Sequence, residues 1–406
     1  MGLEQTLKKF ELLEKAGRLG ILTRSFNFTD EPKFWQYSCI SPEGKYESSS
    51  LDEDKQIAKV KSLGEYLERY CLDNPQQEFQ FYTYNEIKDV ALDPALFVNF
   101  RDCDMNFKRN EYIKKIRNCK MGWIEGRIEK DDSKILIPAQ LVYVDFKFDD
   151  EPVIRPRVST GAATHESFEE AFYLGTMENI ERDSYMISYF SRKKLPRIKL
   201  KEEFLNVENY FKRYLLDLYV FETTTDLSIP SFMCLNLDRT GIGPAISVGL
   251  KASLNPRKAI KGAILESQQV RQWIRNLWIQ KSKPKISSPE NIKEIEDRGF
   301  YWYDIQRIDD LGYLLESDMT KDMGDIRTPI RDKRELVDYL SSRKIDSYSV
   351  NLTDPLFREA GFIVVKAIQP QLHPLFLDEA YPCLYSERLE KELNGRELNN
   401  IPHPFI

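Results

Sequence analysis

The chain has 406 residues, of which 41% are apolar, 31% charged and 12% aromatic, the make-up of an ordinary globular protein of one large domain or two smaller ones. A net charge of -6 argues against a general nucleic-acid binder, which usually carries a basic surplus. No apolar run is long enough to span a bilayer, and the opening "MGLEQTLKKFELLEKAG" lacks a signal-peptide core.

Leu3, Leu7, Phe10, Leu13 and Ala16 fall at helical spacing and predict an amphipathic helix over 3–16. A strand is expected at 36–40 and a helix over 53–73. Strands follow around "EFQFYTY" (78–84) and "ILIPAQLVYVDFKF" (135–148). Helices are expected over 166–190 and 255–280, with strands at 229–237, 245–250 and 361–368. Strands and helices interleave over short connections, which predicts an α+β fold with mixed or antiparallel sheets rather than a regular doubly wound sheet. The end, "ELNNIPHPFI", is broken by prolines and is not a helix.

Six cysteines, Cys39, Cys71, Cys103, Cys119, Cys234 and Cys383, include no CxxC pair. They make no disulfide framework, and a reducing cytoplasm is the expectation. Only three histidines are present, so a metal is expected on carboxylate oxygens, which suits Mg2+.

A repeat is written in the spacing. Ser159-x-Gly161 leads into a helix with Glu178 17 positions after the glycine; Ser247-x-Gly249 leads into one with Glu266 at the same interval. Ala171 and Ala259 each stand 7 positions before the glutamate, and upstream Ala58 stands 7 before Glu65. The pattern ExxER occurs in full as Glu65, Glu68, Arg69 and as Glu178, Glu181, Arg182; a partial copy is Glu266, Gln269, Arg271.

A single such pattern is ordinarily a solvated helix face. Repetition in matched context changes that reading. The alanines predict close-packed faces, and positions seven apart nearly align, so the carboxylates should point the same way. Converging glutamates repel unless cations neutralise them. Mg2+ bridged to nucleotide phosphates meets that need. Arg69, Arg182 and Arg271 would then hold phosphate oxygens, and the loops at Gly44-Lys45, 159–161 and 247–249 would offer backbone N–H groups. No GxxxxGK[ST] loop exists in the chain, so the nucleotide site is of another type.

These stretches resemble the YcaO-domain family. "SLGEYLERY" (62–70), "IPAQLVY" (137–143), "STGAATHESFEEAFYLGTMENIERDS" (159–184) and "GLKASLNPRKAIKGAILESQQVR" (249–271) carry the resemblance, with "AIQPQLHPLFLDEAYP" (367–382) a weaker match. Together they cover residues 40–406. The resemblance implies the YcaO fold, with internal loop–helix pseudo-repeats, and ATP-dependent phosphorylation of a peptide backbone amide. It implies an N-terminal lead-in over 1–35, an ATP-binding catalytic domain over 36–385 and a proline-punctuated tail over 386–406 that reaches the active site. Carried over by position, Glu65, Glu68, Glu178 and Glu181 match the Mg2+ ligands. Glu266, Arg182, Arg69 and Arg271 match nucleotide contacts, and Lys45 and Ser159 are loop candidates.

Three positions depart from the common pattern: Lys61 beside Ser62, Gly175, and Gly262 beside Lys261. Azoline-forming relatives end in PxPxP; here the corresponding residues are Pro402, Pro404 and Ile406. The tail favours cyclodehydration of Cys, Ser or Thr in a ribosomal precursor peptide to thiazoline or oxazoline. The imperfect last position keeps a thioamide synthetase with a TfuA-type partner as the alternative, and a non-catalytic scaffold as a further one. Expected partners are the precursor peptide, a separate ThiF-like leader-binding protein, a flavin dehydrogenase downstream and a second copy of the chain, with no nucleic acid and no membrane.

Overall fold

The computed structural model describes residues 2–25, 27–102, 108–144, 148, 150–282, 286 and 288–406; Cys103 and part of the expected strand 135–148 lie outside them. In chain order the strands are β1 (Ile21–Arg24), β2 (Trp35–Ile40), β3 (Glu47–Asp52), β4 (Gln80–Tyr82), β5 (Met121–Ile128), β6 (Lys134–Pro138), β7 (Ala162–His165), β8 (Arg197–Lys199), β9 (Leu216–Glu222), β10 (Ser231–Asp238), β11 (Ile246–Ala252), β12 (Thr320–Asp322), β13 (Tyr348–Asn351) and β14 (Ile363–Ile368). They form three sheets, ordered β1-β2-β3, β4-β5-β13-β14-β7 with β6 also on β5, and β11-β10-β9-β8-β12. Among the named strands of the described residues only β8 and β12 pair in parallel, with one isolated parallel bridge between Ala91 and Leu136, so the fold is α+β with mixed and antiparallel sheets.

Contacts divide the chain into two units. The first comprises Met1–Phe26, Phe34–Asn179 and Arg334–Leu372; the second comprises Asn27–Lys33, Ile180–Lys333 and His373–Ile406. The boundaries near 180, 333 and 372 fall within 36–385, the span expected as the catalytic domain. No helix of the described residues is long and apolar enough to cross a membrane.

Three long helices carry the repeat: Lys55–Asp73, Phe168–Phe190 and Pro256–Gln280. The first starts where Asp54 accepts hydrogen bonds from the N–H groups of Gln56 and Ile57 at 2.7 and 3.0 Å. The third starts where Asn255 does the same for Arg257 and Lys258, with a proline at the first helical position. Each is preceded by a strand, β3, β7 or β11, and each repeats an alanine with no exposed surface: Ala58, Ala171 and Ala259. In the second unit every residue of β10 is buried, as expected of a strand covered on both faces.

Some expectations are corrected. The strand expected at 135–148 stops at Pro138, whose missing N–H ends the ladder, and a 3-10 turn takes Ala139–Leu141. The strand expected at 78–84 narrows to β4, because Thr83 and Glu86 form a capping box that starts a helical turn at Tyr84. In the N-terminal helix, Leu3–Lys15, Phe10 and Leu13 are buried while Leu3 and, just past its end, Ala16 are exposed; Phe10 stacks on Phe362 at 4.3 Å.

In the first unit, Gly161 has φ +92° and its carbonyl accepts the Ala367 N–H at 2.8 Å. A Cβ on Gly175 would lie inside contact distance of that same carbonyl. Gly175, one of the departures from the family pattern, is therefore the residue that lets helix and loop meet. Gly175→Ala is expected to cost about 1–3 kcal/mol by overpacking against backbone, read as a lower denaturation midpoint with unchanged m-value.

Candidate active site

The first unit gathers three of the predicted glutamates. Glu65 and Glu68 lie one turn apart on Lys55–Asp73, and Glu178 on Phe168–Phe190. The N–H of Ser49, in β3, donates to Glu65. The N–H of Thr164, in β7, donates to Glu68 Oε1 at 2.7 Å, and the N–H of Gly161 donates to Glu178 Oε2 at 2.9 Å. The Thr164 hydroxyl also donates to the Gly64 carbonyl at 3.1 Å, tying β7 to the first helix. Asn179 donates to Ala367 O and to Gln369 Oε1 at 3.0 and 2.6 Å, so β14 fixes the turn that carries Glu178.

These carboxylates feel one another. Burial, then the charges of Glu65 and Glu178, push Glu68 up to about 8. Burial also raises Glu65, against the pull of Arg69, whose Nη2 is 3.1 Å from Glu65 Oε1. Glu65 nevertheless keeps 32% of its side chain exposed, so a small solute can reach it. Lys366, on β14, is buried and donates to the Val158 carbonyl at 2.8 Å. Burial, with help from Arg155, presses its ammonium down to about 7 although Glu178 and Glu68 pull the other way. Among the described residues no three His, Cys, Asp or Glu side chains form a ready-made metal cage; the carboxylates are neighbours at electrostatic range.

The second unit holds the remaining two. Glu181 accepts the Ala252 N–H on Oε2 at 2.8 Å and the Arg182 Nη1 donor on Oε1 at 2.5 Å. Glu266 accepts the Leu250 N–H. Burial pushes Glu266 above the usual carboxylate range; Arg182 pulls it back, Glu181 pushes it further and Lys251 pulls it back. Lys251 stands 3.7 Å from Glu181 Oε2, its stem lying where a Cβ on Gly262 would go. Arg182 lies over the Phe405 ring, 4.2 Å from its centroid.

A rule runs through all five contacts. The first glutamate of each helix takes an N–H from the strand or loop just before its own helix: Glu65 from Ser49, Glu178 from Gly161, Glu266 from Leu250. The second takes one from the strand before the next helix: Glu68 from Thr164, Glu181 from Ala252. An isolated carboxylate would turn to solvent; these are aimed by backbone donors that no side-chain change removes.

The family described as YcaO cyclodehydratase, ATP- and Mg2+-binding, matches residues 53–373. The chain belongs to the YcaO family. ATP and Mg2+ are the cofactors named for it. The chain is also similar to an uncharacterized protein of Methanothermobacter thermautotrophicus, 22% identical over 92% of this chain and 94% of that one. Two solved structures share the fold. A heterocyclase in complex with substrate and cofactor aligns with TM-score 0.79 and 22% identity over 100% of this chain and 57% of that one; this chain thus spans little more than half of it. The YcaO protein of Methanopyrus kandleri, bound with AMPPCP and Mg2+, aligns with TM-score 0.70 and 16% identity over 95% of both chains.

The other predicted site residues of this YcaO chain fall in different settings. Ser159 closes a turn through its carbonyl, which accepts the Ala162 N–H at 3.0 Å. Lys45 is ion-paired with Asp73 at the far end of the first helix and lies 4.9 Å over the Tyr46 ring. Arg271 is 2% exposed, and each of its nitrogens has a protein acceptor: Nε on Glu31 at 2.9 Å, Nη1 on the Pro244 carbonyl at 3.0 Å, Nη2 on Asp238 at 2.7 Å. The expectation that Arg271 meets the nucleotide is therefore replaced by an architectural role. Lys61 donates to Asp52 at 2.7 Å.

Pro402, Pro404 and the residues between them are buried, and Ile406 packs beside Ile274, Phe300 and Tyr303. Tyr189 donates to the Pro402 carbonyl at 3.1 Å and Arg298 to the His403 carbonyl at 3.0 Å. The residues that sequence reasoning missed are Lys366, Lys251 and Phe405. Only Lys251, sitting inside a repeat, left a signal there.

The carboxylates fit a divalent cation, since burial and the neighbouring Glu65 and Glu178 push Glu68 up to about 8, a repulsion that a bound cation would relieve. A carboxyl whose folded-state value lies above its ordinary 4.5 stays protonated in the folded protein while the unfolded chain ionises, so stability is lost as pH rises from about 4.5 through about 8. In metal-free protein, Glu68→Gln should melt with wild type near pH 4.5 and progressively above it as pH approaches 8. Added Mg2+ should narrow that gap. Thermal melts in chelator and in Mg2+ measure it.

Proposed function

We propose that this YcaO chain is an ATP- and Mg2+-dependent peptide cyclodehydratase acting on a ribosomal precursor peptide. In this reading Glu65, Glu68, Glu178 and Glu181 are the Mg2+ ligands, and Glu266, Arg182 and Arg69 face the nucleotide, with the loop at Ser159 beside them. Bound Mg2+ supplies charge neutralisation for the phosphates. The single observation that carries the reading is the set of five glutamates, each held by a strand or loop N–H, on three repeated helices.

The chemistry asks for positioning more than for acid–base power. A Cys, Ser or Thr side chain of the peptide adds to the preceding amide carbon. The former carbonyl oxygen takes the γ-phosphoryl group of ATP and leaves as phosphate, the amide nitrogen gives up its proton, and a C=N bond closes the thiazoline or oxazoline. Arg182 holds negative charge as it shifts between the phosphates, and Glu181 keeps the arginine in place. Pro402 and Pro404, buried in the closing segment, stiffen it, since proline fixes φ in advance, so that the half-buried Ile406 at its end meets the peptide. A ThiF-like protein that captures the precursor, a flavin dehydrogenase acting afterwards and a second copy of the chain are the proposed partners, in the cytoplasm.

Co-expression of the chain with its genomic neighbours and a short precursor peptide, read by intact mass, tests the product. Loss of one water per modified residue is expected. Exchange of one oxygen for one sulfur would assign thioamidation instead, and an unchanged mass with no ATP consumed would leave a scaffold. Glu178→Gln and Glu181→Gln should each lower ATP consumption more than about a hundredfold, the scale of losing a group that positions a phosphoryl transfer, with the circular dichroism spectrum unchanged.

A further inference from the structure

β14 is an apolar strand with one exception. Every other side chain of Ile363–Ile368 is aliphatic, yet Lys366 stands among them with 1% of its surface exposed. Burying an ammonium is costly unless its donors are met. Its hydrogen-bond acceptor among the described residues is a neutral one, the Val158 carbonyl, while Glu68 and Glu178 act on it through their charge.

The strand register fixes the side to which this lysine points. Val365 and Ala367 pack on Ala171 and Phe172 of the helix Phe168–Phe190. Side chains alternate along a strand, so Lys366 and Val364 take the other face. Their cross-strand partners in β7 are Ala162 and Thr164, and the Thr164 hydroxyl reaches the Gly64 carbonyl of Lys55–Asp73. Lys366 therefore lies on the sheet face that meets the helix of Glu68.

From that face it holds a loop. Residues 156–159 belong to no helix or strand, and Val158, Ser159 and Thr160 are half-buried. The Ser159 carbonyl accepts the Ala162 N–H at 3.0 Å, which closes 159–162 into one turn. Two adjacent residues of β14 grip it: the Lys366 Nζ donates to the Val158 carbonyl at 2.8 Å and the Ala367 N–H to the Gly161 carbonyl at 2.8 Å. A turn held at one carbonyl pivots about it, and a second grip fixes its plane. That plane aims the Gly161 N–H at Glu178 Oε2, 2.9 Å away. The grip does not require the charge, because a lysine that gives up its proton still has N–H groups to donate.

We infer that Lys366 is a positioning residue for Mg2+ binding: it fixes the 158–161 turn whose Gly161 N–H orients Glu178. The inference rests on the proposed Mg2+ role of Glu178.

Lys366→Met keeps the length of the side chain and removes both donor and charge, and these two losses act with opposite sign. Loss of a positive charge beside Glu68 and Glu178 by itself tightens a cation; loss of the grip loosens it. Calorimetric titration of Mg2+ into protein with AMPPCP should show a Kd for Mg2+ about tenfold higher, the size of one hydrogen bond from a charged donor. In metal-free protein, hydrogen exchange of the 159–162 amides should quicken about tenfold, with exchange in β10 unchanged. The melting temperature should not fall, since an apolar side chain replaces a buried cation. Lys366→Gln keeps an N–H donor without the charge and should stay within about threefold of wild type in Kd. A methionine variant that binds Mg2+ as tightly as wild type or more so, unchanged exchange at 159–162, or a glutamine variant as weak as methionine overturns the inference and leaves the proposed function standing. A methionine variant that melts far below wild type, with exchange raised throughout, overturns it too, by making the lysine a general support. Wild-type protein that binds no Mg2+ with AMPPCP overturns the proposed function first, and this inference with it.

Discussion

Like charge is the constraint under which the three repeated helices are built. Glu65, Glu68 and Glu178 sit close enough that Glu68 keeps its proton to about pH 8. Left to themselves, such side chains would swing apart into water. What stops them is backbone: each of the five glutamates accepts an N–H from a strand or its lead-in loop. A backbone donor has no rotamer to change and no charge to titrate, so it orients a carboxylate without cancelling the negative charge that a cation needs. The same pinning through lysine or arginine alone would neutralise the site it was meant to prepare.

That solution demands that strands run within hydrogen-bonding reach of helix side chains, and the packing follows from the demand. Ala58, Ala171 and Ala259, two turns before the glutamates, have no exposed surface, and small residues at such positions let packed elements approach closely. Gly175 meets the Gly161 carbonyl for the same reason. Thr164 serves both ends of the arrangement, its N–H on Glu68 and its hydroxyl on the Gly64 carbonyl. Small residues are thus the means by which acidic ones are aimed.

This logic explains what could be read without a structure. The repeat was legible because it is local: alanine, glutamate and strand signal recur at fixed offsets within one helix and its lead-in, and helix geometry turns offsets into faces. The starts of two long helices, expected at 53 and 255, are set in the structure by Asp54 and Asn255, which cap by reaching two and three residues along. Long-range partnerships were not. Nothing near Arg271 announces that Glu31, 240 positions away, will hold it. Lys366 reads as one more residue of an apolar strand, and only the fold brings it near Glu178 and Glu68. The strand lost after Pro138 was an error of a different sort, since an apolar run was allowed to outweigh a proline.

Three consecutive residues bring these strands of argument together. Glu181, Arg182 and Asp183 follow one another on the same helix, and sequence alone gives them similar standing. Asp183 is fully buried and saturated, taking two hydrogen bonds from Arg388 and one from the His373 N–H. Such a group is architecture: burial with complete pairing fixes a chain and leaves nothing to offer a ligand. Glu181 is also buried, and its partners are the Ala252 N–H, the arginine beside it and, at 3.7 Å, Lys251. Arg182 is held by the Glu181 carboxylate and the Phe405 ring face, and its charge also acts on Glu266. Burial therefore does not separate the functional charge from the structural one in this helix. What separates them is what the charge is spent on: Asp183 ties the distant Arg388 and His373 to the helix, whereas Glu181, Arg182, Lys251 and Glu266 act on one another within a single cluster.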